Sequence, residues 1–127
     1  MIKIGIIVQA RLTSTRLPGK VIMEFHNGQS ILDIMLSNIN LAFPTLEKVL
    51  AYPHLHSQHD ILSDVAARYN FLAFRGSEED VLSRFIDAAR MSKLTHVVRI
   101  CSDNPFLSMD YLARLVDLIK DNLDQDY

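Results

Sequence analysis

Apolar positions along this chain follow two alternating rhythms. Residues 2–8 (IKIGIIV) form a short, largely β-branched run, as expected of a strand covered on both faces. A brief extended piece, VIMEF, follows a polar stretch and closes at the turn signal Asn27-Gly28. From Ser30 to Phe43 the spacing becomes helical, with Ile31, Ile34, Met35, Asn38 and Leu41 on one face. Ser30 is the expected N-cap, Asp33 the third helical residue, and Pro44 the stop. EKVLAYP reads as a second strand ending at Pro53. HDILSDVAARY is an amphipathic helix opened by Ser57 or Asp60. NFLAFR is a third strand, broken by Gly76-Ser77. EEDVLSRFIDAARMS begins with acidic residues, as a helix dipole favours. THVVRI is a fourth strand, and SMDYLARLVDLIKDN a last helix capped by Ser108. The Leu and Met positions of these helices are expected in the core.

Strands alternating with helices of ten to fifteen residues imply an α/β domain, a parallel sheet with helices on both faces. Right-handed crossovers then set every strand-to-helix loop at one edge of the sheet. Ligands of such sheets sit outside the carboxyl ends of the strands, where the strand order reverses.

The chain has 127 residues, 49% of them hydrophobic and 22% charged, the profile of an ordinary globular domain. Its formal net charge of −2 provides no global field for nucleic acid, so any anion site must be local. A single cysteine, Cys101, excludes an intramolecular disulfide and a cysteine-only zinc site. With no membrane-length apolar run and no signal-peptide pattern, the expected location is cytoplasmic.

The stretch after the first strand changes the picture. ARLTSTRLPGK gathers Arg11, Arg16 and Lys20 around Thr13, Ser14 and Thr15. Forked guanidiniums, an ammonium, hydroxyls and backbone N–H groups together make an oxyanion cradle. Pro18-Gly19 sets a bend that can aim Lys20 back toward Arg11. A P-loop is excluded, because Val21 follows Lys20 and no second glycine precedes Gly19. A dinucleotide fingerprint is excluded for want of glycines. A phosphate chain held by another device remains.

VQARLTSTRLPGKV closely resembles the signature of cytidylyltransferases that make CMP-activated sugars, nearest the spore-coat polysaccharide branch. FRGSEEDVLSRF and VVRICSDNPFLSMDYLARLV resemble that family's next two signatures, in order. The resemblance implies a three-layer, Rossmann-like fold of the nucleotide-diphospho-sugar transferase type, with residues 1–127 as one nucleotide-binding domain. It implies transfer of CMP from CTP to a sugar or sugar acid with release of pyrophosphate, in cell-surface or spore-coat polysaccharide biosynthesis. Gln9, Ala10, Arg11, Ser14, Arg16 and Lys20 would bind CTP, with Arg11 and Lys20 catalytic. Arg75, Gly76 and Arg99 would add nucleotide contacts, and Asp103 would bind Mg²⁺. Two departures stand out. Ser102 replaces the glycine that usually precedes the motif aspartate. Family members also run on for roughly as long again, through a second metal-binding carboxylate, most of the acceptor pocket and a dimer-forming segment. The chain is therefore expected to be truncated.

Read on their own residues, these sites leave alternatives open. Asp103 follows an apolar strand and precedes Asn104-Pro105, which suits a metal ligand or a turn aspartate satisfying nearby backbone. Ser77 as a cap, Glu78, Glu79 and Asp80 in the first turn, and an Asp80–Arg84 pair explain most of the second motif without a ligand. Arg99, a cation in an apolar strand, needs a partner, and a structural carboxylate or the nucleotide serves equally. His54, His56 and His59 have neither helical nor finger spacing for zinc and read as a polar loop. Cys101 reads as an inert thiol, with no histidine placed to activate it. Two competing functions are a nucleotide-binding module without turnover and a nucleotide-sugar-dependent glycosyltransferase.

Overall fold

The computed structural model describes residues 3–10, 24–26, 29–53, 59–76, 81–101 and 108–121. Ten elements follow in order: β1 (Ile4–Gln9), β2 (Glu24–His26), β3 (Gln29–Ser30), α1 (Ile31–Ala42), β4 (Glu47–Pro53), α2 (His59–Arg68), β5 (Leu72–Gly76), α3 (Val81–Met91), β6 (His96–Cys101) and α4 (Met109–Asp121). Four strands form a parallel sheet in the order β5-β4-β1-β6, and β2 and β3 make a separate antiparallel ribbon. Successive strands step outward from β1 to β4 to β5, and the chain then returns across the sheet to β6. Right-handed crossovers require the returning helix to lie on the opposite face.

The packing follows that rule. Leu32, Met35, Leu36 and Ile39 of α1, Leu62, Val65 and Ala66 of α2, and Leu112, Val116 and Ile119 of α4 share one core. That core includes Ile6, Val8, Leu50, Val98 and Ile100 from the sheet. Ala88 of α3 packs on Ile7, Val49 and Ala51 of the other face, with Phe74, Phe85, Leu94 and Val97 around them. The strands alternate between the two cores, giving the three expected layers.

Several local expectations need correction. The buried stripe of α1 is Leu32, Met35, Leu36 and Ile39, while Asn38 is exposed and Leu41 is 77% exposed. Two overlapping stripes compete in α1, and the one lacking a polar residue wins. Leu82, Met91 and Leu118 are likewise exposed, so the helical Leu and Met positions are not uniformly core. β5 begins at Leu72, because Asn70 takes the left-handed conformation at φ 63°. Phe71 N–H donates to Ala66 O at 2.8 Å and Asn70 N–H to Ala67 O at 3.4 Å, which closes α2 in a Schellman turn. Lys93, at φ 58°, ends α3 the same way, with Leu94 N–H donating to Ala89 O at 2.9 Å and Lys93 N–H to Arg90 O at 3.1 Å. Neither helix uses glycine for this turn, so a sequence scan for C-terminal glycine misses both.

The caps at Ser30 and Ser108 are as expected. Ser30 Oγ accepts from Asp33 N–H at 3.0 Å, and Asp33 Oδ2 accepts from Ser30 N–H at 2.9 Å. Ser108 Oγ accepts from Tyr111 N–H at 3.2 Å. Asp33 also spans two helices, because its Oδ1 accepts from Arg68 Nη1 and from Tyr69 Oη, each at 3.0 Å. Burial by itself would raise the Asp33 carboxyl. The hydrogen bonds from Ser30 and Tyr69 and the charge of Arg68 outweigh it and hold the group below its ordinary value of 3.8.

Lys48 ends the turn after α1, its Nζ donating to Phe43 O at 2.8 Å and Leu46 O at 3.1 Å. Burial lowers its pKa, against a smaller opposing pull from Glu47. At the sheet's amino edge, Lys3 N–H donates to Thr95 Oγ1, and Lys3 O accepts from Thr95 N–H and His96 N–H. Gly5 is closely packed beside this belt, since a Cβ there would stand 2.6 Å from both Leu94 methyls, which would have to shift, and 3.1 Å from Glu47 O.

Candidate nucleotide-binding edge

The carboxyl edge of the sheet is where the functional residues must be sought. Gln9, the last residue of β1, is paired with Ala51 of β4 on one side and Cys101 of β6 on the other. Ala10 is fully buried, and its N–H donates to Ala51 O at 2.9 Å, carrying the ladder one residue past the strand. β1 and β6 therefore end level. They are also the two strands between which the chain order reverses, so the crevice outside them is the topological switch point. The cationic stretch 11–23 departs from Ala10, and the stretch 102–107 departs from Cys101.

Arg11, Ser14, Arg16 and Lys20 belong to the first of these stretches and Asp103 to the second, and all five lie outside the described residues. So do Ser77, Glu78, Glu79 and Asp80, and His54 and His56. Among the described residues, no three His, Cys, Asp or Glu side chains gather closely enough to hold a metal ion.

The remaining predicted site residues are distributed along three strands. Arg75 and Gly76 close β5, opposite Tyr52 and Pro53 of β4. Gln9 and Ala10 are brought to the same edge, two strand spacings away, or about 10 Å. Arg75 is exposed and Gly76 buried. Arg99 is not at the edge. It pairs with Ile7, two residues short of the end of β6, and its guanidinium carbon lies 5.4 Å from the centroid of Phe85. This cation–π contact is a third kind of partner, distinct from the carboxylate and the nucleotide considered from sequence.

Arg84 is 2% exposed, the bulkiest of the fully buried side chains among the described residues, and Asp80, its expected partner, lies outside them. The signal was in the sequence, since Arg84 lies one turn before the buried Ala88 on the sheet-facing stripe of α3. Gly76 makes the room. A Cβ at Gly76 would lie 2.7 Å from Arg84 Cγ and 2.9 Å from Phe74 Cε2.

The cytidylyltransferase family profile matches residues 5–127. The chain belongs to that family. The spore coat polysaccharide biosynthesis protein SpsF of Bacillus subtilis is 34% identical, over 87% of this chain and 47% of its own length. A cytidylyltransferase structure from Leptospira borgpetersenii superposes with a TM-score of 0.82 at 31% identity, covering 96% of this chain and 50% of that one. The structure of CMP:2-keto-3-deoxy-manno-octonic acid synthetase complexed with CTP has a TM-score of 0.70 at 19% identity, a likeness of fold. This cytidylyltransferase chain thus spans about half the length of the relatives it matches. No helix among its described residues is long and apolar enough to cross a membrane.

Proposed function

We propose that this chain supplies the CTP-binding part of an enzyme that transfers CMP to a sugar or sugar acid and releases pyrophosphate. The observation that carries this reading is the level ending of β1 and β6 at the switch point. A stretch with three cations leaves one strand and a stretch with an aspartate leaves the other. Arg11, Ser14, Arg16 and Lys20 grip the triphosphate, with Arg11 and Lys20 neutralising the leaving phosphates as a sugar oxygen attacks the α-phosphorus. Gln9 and Ala10 set the floor of the site, and Arg75 and Gly76 meet the base or ribose. Likeness to SpsF supports a role in polysaccharide biosynthesis. A reaction that consumes CTP belongs in the cytoplasm, where that nucleotide is made.

Asp103 would hold Mg²⁺. The donor set fits, because Mg²⁺ is commonly bound by one or two carboxylates together with substrate phosphate oxygens. When bound, the ion would supply charge neutralisation at the phosphates. Changing Asp103→Asn is expected to abolish the Mg²⁺ dependence of CTP binding with the fold intact. Loss of the folded circular dichroism spectrum in this variant would make Asp103 a structural residue instead.

The half-length match favours a binding part over a complete catalyst. With CTP, Mg²⁺ and a panel of sugar acids and sugar phosphates, the 127 residues are expected to release pyrophosphate at background rates. Turnover well above background by a monomer would show that the catalytic set is complete within them.

We also propose self-association along β6, the outer strand on its side of the sheet. An outer strand with unpaired backbone groups is a template for pairing with a second copy. Light scattering should give a mass that rises with concentration, and a monodisperse monomer would exclude the homodimer.

A further inference from the structure

We draw no further inference here: the strongest candidate, the part of the sheet face beside α3 where β6 presents the exposed Arg99 against Phe85, carries nothing, because nothing in the structure shows what covers it.

Discussion

Replacing Arg16 with alanine should weaken CTP binding far more than CMP binding. The reasoning concerns where the charges are spent. CMP offers one phosphate, whereas CTP offers three, and the cationic stretch after β1 is the chain's densest gathering of phosphate donors. A charge-assisted hydrogen bond contributes about 1.5–3 kcal/mol, which is roughly 10- to 150-fold in Kd. Arginine's paired donors put Arg16 near the upper end of that range for a triphosphate. Calorimetric titrations of wild type and Arg16→Ala with both nucleotides measure the difference directly. Equal losses for CTP and CMP would remove Arg16 from the phosphate tail.

The largest effect on stability is expected from Asp33→Ala. The variant loses the reciprocal cap with Ser30 and leaves Tyr69 Oη without its acceptor. Loss of an N-terminal cap typically costs about 1 kcal/mol, and an orphaned partly buried donor about 1–3 more. A total of about 2–4 kcal/mol corresponds to a fall of roughly 10 °C in Tm for a domain of this size. Arg68 contributes little to this sum. Its side chain is 57% exposed, and solvent-exposed ion pairs contribute only about 0–1 kcal/mol. Arg68→Ala should therefore move Tm far less than Asp33→Ala, and equal shifts would refute the assignment.

The same carboxylate sets an acid limit. Its folded pKa lies below the unfolded value, so its contribution is complete above about pH 4–5 and declines as pH falls through 3.8 toward the folded pKa. Asp33→Ala should flatten that part of a stability–pH curve.

Much of this architecture could be read from residue order. Each of the four parallel strands overlaps a predicted one, because the buried strands leave β-branched and apolar runs and the largely exposed β5 is bounded by Gly76-Ser77. The caps at Ser30 and Ser108 were legible for a similar reason, since capping is a local hydrogen-bond pattern with a fixed spacing. The failures came where two local signals coexisted or where partners were distant. α1 has two apolar stripes, and only tertiary contact decides between them. Asn70 and Lys93 end helices in a conformation that glycine usually takes, so their role appears only in the backbone. Tyr69 meets Asp33 from 36 residues away, and Phe85 meets Arg99 across the α3-covered face of the sheet. Neither pairing has a spacing that a linear pattern can carry. For the site, Gln9, Ala10, Arg75 and Gly76 come to the sheet edge as the topology required. Arg99 belongs to the strand below that edge.

With Gln9 opposite both Ala51 and Cys101, β1 and β6 end at one height while β4 runs on to Pro53, and the chain that leaves β1 and β6 starts from that level. The bonds that fix that height lie beneath it, in the backbone ladders of β1 with β4 and β6. Such a frame separates inheritance of the fold from inheritance of the substrate. Substitutions within stretches such as 11–23 and 102–107 leave those ladders untouched, because both stretches start from positions already fixed, Ala10 and Cys101. The frame itself is kept at a TM-score of 0.70 with only 19% identity.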